Sequence, residues 1–283
     1  MWQQIVFNSL VSSSIYVLVA LGLALVFGTM GILNFAHGAM YMLGGYAFYV
    51  LARWLGLNYI LAAITSALVV GALGVIAERI FLRPMRGQLF QLFVITLSLS
   101  IIFETAIEKS FGLERRAVSI PISGIVNLGR VTASWERIAI ILFAAALVWG
   151  LFIFLGRAKA GQAMRAVGEN SEAAALQGID PDKIASLCMF IGCALAGAAA
   201  TLTAPVFAID PYMGTSPLLK GFIIMILGGV GSIPGAVVGG LVLGFVDNIT
   251  TALFHGGEIA SLIGFGLVML ILLARPKGLL GHE

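Results

Sequence analysis

Charge is what this sequence has least of. Lys, Arg, Asp and Glu make up 10% of its 283 residues, where a soluble domain carries about 25%. The first charged side chain is Arg53, so 52 residues pass without one. Further uncharged runs cover 54–77, 87–103, 138–156, 184–209, 221–246 and 259–274. A bilayer-spanning helix needs roughly 17–25 mostly apolar residues, and nearly all of these runs reach that length. With 60% of the chain hydrophobic, a soluble globular protein is excluded. The short alternating segments of a membrane β-barrel are missing as well.

Other scarcities exclude chemistries. Cysteine occurs twice, as Cys188 and Cys193 inside an apolar run. That spacing on one helix suits no disulfide, and both read as small packing residues. No basic segment precedes the first apolar run, which is too long for a signal peptide and leads straight into another membrane segment, so no cleaved leader is expected. No Walker-type glycine loop is found, and 87-GQLFQLF is not one. Nucleotide hydrolysis by the usual P-loop chemistry is therefore not expected of this chain, and any energy from ATP has to come from a partner. No carboxylate pair, Ser–His arrangement or metal-ligand cluster stands out, so no catalytic residue, bound metal or cofactor is assigned. A net charge of +3 fits contact with membrane lipid and does not point to nucleic acid.

What remains is an all-α, polytopic helical membrane protein, a single transmembrane domain over 1–283. About eight hydrophobic segments are expected, near 8–28, 36–52, 59–80, 89–107, 138–156, 184–207, 218–246 and 259–274. The short basic loop of Arg79, Arg83 and Arg86 around Pro84 marks the cytoplasmic side under the Lys/Arg bias. That orientation leaves 108–137 outside, with five basic residues among its charges (Lys109, Arg115, Arg116, Arg130 and Arg137). The seventh segment carries Gly228, Gly229, Gly231, Pro234 and Gly235, too many breakers for one helix. It reads as half-helices 218–227 and 235–247 around an irregular patch, broken or re-entrant. Backbone of that kind at membrane depth must be buried in protein or line a cavity.

The polar insert 157–183 separates two apolar stretches and reads as an ordered loop in the cytoplasm. In 159-KAGQAMRAVGEN-170, Ala160, Ala163, Met164 and Val167 share one helical face. The run 171-SEAAALQG-178 begins with a capping Asn or Ser and ends on Gly178. Asp180 and Pro181 then cap and open the next membrane helix. The alanine face suits docking into a groove of another protein; an interfacial helix lying on lipid is the alternative, though such helices favour large residues. Most small-residue patches serve tight helix packing. The patch 228–234 differs, because Gly228, Gly229, Gly231, Ser232 and Pro234 can expose backbone groups to a solute. Asn34 and His37, near a helix junction, read as packing or capping groups or as pathway lining. Glu104 is either a functional membrane carboxylate or a headgroup-level one. Asp210, Asn248 and His255 lie in or near turns.

Four motifs in this order carry a family resemblance: 31-GILNFAHGAMYMLGGY-46, 165-RAVGENSEAAALQGID-180, 210-DPYMG-214 and 220-KGFIIMILGGVGSIPGAVVGGLVLG-244. The chain resembles the LivH-type permease subunit of bacterial ABC importers for branched-chain amino acids, over nearly its whole length. The resemblance implies a multi-pass protein of the bacterial inner (plasma) membrane. It also implies a homologous LivM-like permease partner, two cytoplasmic ATPase subunits that use the ATP, and a periplasmic substrate-binding protein. Coupling to the ATPases would fall to Arg165, Glu169, Glu172, Ala173, Ala174 and Gly178. Two other readings stay open here: a permease for urea or short amides in the same family, and a self-sufficient secondary transporter or channel. A structural membrane subunit without a pathway fits the ordered insert and broken segment less well.

Overall fold

The computed structural model describes residues 2–118, 124–128, 131–254, 262–263, 266, 269–270 and 278–280. Among them, the first five helices are α1 (Trp2–Met30), α2 (His37–Arg53), α3 (Tyr59–Ala77), α4 (Leu89–Phe111) and α5 (Trp135–Arg157). The polar insert supplies α6 (Lys159–Glu169) and α7 (Ser171–Leu176), and the chain continues as α8 (Pro181–Thr203), α9 (Thr215–Gly228) and α10 (Ile233–Phe254). One antiparallel hairpin, β1 (Ile125–Leu128) and β2 (Val131–Ser134), adds a small sheet to the helical fold between α4 and α5.

Six helices are long and apolar enough to cross a membrane among the described residues: Trp2–Met30, Tyr59–Met85, Leu89–Phe111, Trp135–Arg157, Pro181–Thr203 and Ile233–Phe254. The second expected segment is the 17-residue α2. The seventh divides into α9 and α10, and the eighth, 259–274, falls mostly outside the described residues. The third does not end as a plain helix. Past Ala77 it widens into a π-helical turn, Glu78–Leu82, and tightens into a 3-10 turn, Arg83–Met85, where Pro84 stops it.

Helices in lipid gain nothing from hiding apolar surface from other apolar surface, so close packing has to hold them together. Glycines provide it here. A Cβ on Gly44 of α2 would come within 2.5 Å of the Gly197 Cα on α8, and one on Gly22 of α1 within 2.6 Å of the Gly192 carbonyl. Gly71 and Gly74 bring α3 onto Phe190 and Cys193 of α8. Gly240 and Gly244 of α10 meet Val17 and Ser13 of α1, so these two helices run antiparallel. α1 and α8 are consequently the innermost elements. α4 and α5 bury little of themselves and turn Leu89, Phe90, Leu142 and Trp149 outward.

α9 and α10 form a helical hairpin, with Gly228 against Gly235 and Gly239 against the Ile224 carbonyl. The break is narrower than the glycine pattern predicts, because Gly228, Ile233 and Pro234 are helical and only 229–232 are not. Gly229 and Gly231 take φ of +107° and +77°, conformations that any Cβ would strain. Ser232 Oγ accepts the Gly235 N–H at 3.1 Å and so caps α10, with Pro234 in its first turn. The amides of Leu279 and Leu280 reach the free carbonyls of Leu227 and Gly228 at the end of α9.

Candidate functional site

The insert folds as helix, helix, glycine, helix. The Asn170 side chain accepts the Ala173 N–H at 2.9 Å and starts α7. Gly178 ends it with φ +83°. Asp180 then accepts the amides of Asp182 and Lys183 to cap α8. The Lys183 side chain and those two amides hold the Asp180 carboxyl below the usual carboxylate range. Its charged form is the bonded one, so the cap stands at neutral pH and is lost as pH falls through the lowered value.

The orientation of α6 differs from the docking surface expected of its apolar face. Gly161, Met164 and Val167 are buried in this chain's own core, with Gly161 against Phe154 and Leu155. Helical periodicity identifies a face that is covered, not what covers it. α7 is the element presented outward: Glu172, Ala173 and Gly178 are exposed, Ala174 is buried, and Leu176 is 87% exposed. Arg165 and Glu169 occupy the exposed side of α6.

These two residues share a cavity of about 570 Å³ with Gly28 and Thr29 at the end of α1, with Gly231 and Ser232 of the hairpin turn and with Pro234 at the start of α10. Two of the residues expected to couple, Arg165 and Glu169, thus meet three of those expected to line the pathway, Gly231, Ser232 and Pro234, while Glu172, Ala173, Ala174, Gly178, Asn34, His37, Gly228 and Gly229 lie outside the cavity. Backbones make the junction: a Cβ on Gly168 would lie 2.7 Å from the Gly28 carbonyl, and one on Gly28 would lie 3.0 Å from the Gly231 carbonyl.

Between the end of α3 and the start of α8 lies an ionic cluster that reading by segments overlooks. Glu78, in the π-turn, is completely buried. It pairs with Arg83 at 3.0 Å and with Arg86, and accepts the Ser186 hydroxyl at 2.8 Å. Both arginines also reach Asp182 in the first turn of α8. The arginines are therefore more than markers of a loop. The signal was present, since Glu78 is the one acid beside Arg79, Arg83 and Arg86. Its spacing from Arg83 faces inward only because of the π-turn.

Asn34 is buried and its side chain accepts the Ala36 N–H at 3.1 Å, a turn-forming role. His37 is also buried; its ring fills the space left by Gly22, and neither ring nitrogen has a hydrogen-bond partner among the described residues. Glu104 accepts the Ser100 hydroxyl within α4. Asp210 accepts the Tyr212 N–H in a turn. Asn248 is instead inside α10, donating to the Gly244 carbonyl, and His255 lies outside the described residues. Cys188 and Cys193 are free and buried. A second overlooked group joins three helices: Lys220 of α9 pairs with Asp247 of α10, and both bond the Tyr16 hydroxyl of α1.

Comparison with known proteins extends these observations. The family described as branched-chain amino acid transport system / permease component matches residues 5–273. The chain is 35% identical over 296 residues to the high-affinity branched-chain amino acid transport system permease protein BraD of Pseudomonas aeruginosa, covering 99% of this chain and 95% of that protein. To the corresponding LivH of Escherichia coli K12 it is 33% identical over 296 residues, with coverage of 99% and 95%. To LivM of the same organism it is 27% identical over 298 residues, covering 94% of this chain and 68% of LivM.

Proposed function

The chain belongs to the branched-chain amino acid transport permease family, and on that premise we propose that it is a membrane subunit of an ATP-driven amino acid importer. It forms half of a translocation pathway and takes its movement from cytoplasmic ATPase subunits. The observation that carries this reading is the cavity in which Arg165 and Glu169 of α6 meet the 229–232 turn and the end of α1. A displacement delivered to α6 and α7 is felt at once by the hairpin.

In this reading α7 docks on an ATPase through Glu172, Ala173, Leu176 and Gly178. Movement passes along two routes. One runs from α6 through Gly168 and Gly28 to Gly231 and the α9–α10 hairpin. The other runs from Asp182 through Arg83 and Arg86 to Glu78 and α3. The hairpin re-enters the membrane, and Asn34, His37, the turn residues Gly229, Gly231 and Ser232 and the flanking helical Gly228 and Pro234 shape the pathway's inner end. A homologous LivM-like permease supplies the other half, and a periplasmic binding protein delivers the substrate. The ATPases can drive this cycle only by binding one permease conformation more tightly than another.

The test is leucine uptake by proteoliposomes holding the assembled importer. Uptake is expected to need ATP and the loaded binding protein. Glu172→Arg or Gly178→Leu should abolish uptake while membrane insertion persists. Normal uptake in both variants removes α7 from the mechanism, and gradient-driven uptake by the purified chain alone sinks the whole reading.

A further inference from the structure

Three polar side chains from three helices meet far from the coupling region. Tyr16 is the central residue of α1, which runs Trp2–Met30, so it lies about 21 Å from either helix end at 1.5 Å per residue. That places it inside a hydrocarbon core about 30 Å thick. Its hydroxyl donates to Asp247 Oδ2 at 2.9 Å and accepts from the Lys220 ammonium, which also pairs with Oδ2. The ammonium sits 4.6 Å from the Tyr16 ring centroid.

Taking two charges out of water costs several kcal/mol per ion even after relaxation, and apolar side chains of similar size would fill the place without that cost. Ionisable groups at this depth mark solute or ion pathways. What this pair leaves open is the informative part. An ammonium has three donors, and among the described residues Lys220 uses two. Asp247 Oδ1 receives no donor there, because both partners bond Oδ2. The Lys220 side chain is 22% exposed and that of Asp247 8%, so the pair is not sealed. Lys220 stands on α9, whose 14 residues cover about 21 Å, too short to cross. Solute sites of transporters lie near the midplane on such discontinuous helices.

We propose that Lys220 and Asp247 form a subsite for the zwitterionic head of the transported amino acid. The free ammonium donor takes the α-carboxylate and the free Oδ1 takes the α-ammonium, while Tyr16 positions both protein groups. Protein pair and substrate head are each neutral overall, so the solute brings no uncompensated charge to membrane depth. The assignment rests on the amino acid import reading above; urea has no charges to exchange with the pair.

The experiment uses radiolabelled leucine and the full importer in proteoliposomes, with assembly of the complex checked by gel filtration. Lys220→Met and Asp247→Asn are compared with Lys220→Met combined with Asp247→Leu, which leaves no unpaired charge. Losing a hydrogen bond to a charged group should slow uptake about 10- to 100-fold, in the double variant as much as in the single ones. Unchanged uptake in the single variants overturns the subsite. So does a double variant that transports at the wild-type rate or fails to assemble, because either result makes the pair structural. Failure of the wild-type importer to take up leucine sinks the import reading instead, before any variant is made.

Discussion

Glu78 shows what one carboxylate can organise when it is enclosed. It is fully buried, while the side chains of Arg83 and Arg86 are 32% and 29% exposed. Glu78→Gln leaves two guanidiniums with Asp182 as their acidic partner. Breaking a buried pair costs about 3–5 kcal/mol, and the partial exposure of both arginines brings the expected loss to about 2–3 kcal/mol. Unfolding of the detergent-solubilised protein measures it; an unchanged midpoint would mean that Asp182 alone holds the arginines. Glycine positions follow a different rule. A leucine at Gly44 has nowhere to go, with the Gly197 Cα 2.5 Å from its Cβ, and forced overpacking of this kind typically costs about 1–3 kcal/mol. The same melt on Gly44→Leu tests that. The small residues were legible as packing surfaces from the sequence, because close backbone approach leaves few other residue choices. The ring of His37 against Gly22 was not legible, since it depends on how α1 and α2 meet.

Local chemistry made the elements of the insert readable. Asn170, Gly178, Asp180 and Pro181 act within a few residues of themselves, so capping rules place α7 and the start of α8 without knowledge of the fold. Asn170→Ala should weaken α7 by about 1 kcal/mol. With α7 loosened, uptake should fall while the ATPase partners still hydrolyse ATP, measured on the same proteoliposomes. Equal loss of both activities would point to failed assembly instead. The alanines on the apolar face of α6 suit a shallow groove of another protein, and with only Met164 and Val167 as large residues the pattern does not tell an outward face from an inward one. The burial of that face against α5 and the end of α1 is a tertiary fact. The hairpin break was legible from Gly229, Gly231 and Pro234, though Pro234 belongs to the helix that it helps to open. The π-turn carried no sequence signal of its own.

For the whole molecule, the proposed reading puts the energy source in separate ATPase subunits. Family membership and the six candidate spans describe a membrane subunit, and the outward faces of α4 and α5 leave ample surface for lipid or a neighbouring subunit. The purified chain alone in vesicles should therefore move no leucine under an ion gradient, and uptake should appear only when ATPases, partner permease and binding protein are added together. Long apolar runs made the membrane architecture legible at this scale. The pairing of Lys220 with Asp247 was not, because it joins residues 27 apart through the return of a hairpin.

The junction of Gly28, Gly168 and Gly231 is built like a plain bearing. Its contacting surfaces are backbone, so one part can slide over another with no side chain to lift out of a neighbour's groove. Interlocked side chains would make such a stroke a series of rotamer jumps. In the proposed cycle friction would therefore be low where the stroke begins, and the load would fall on the helices beyond it.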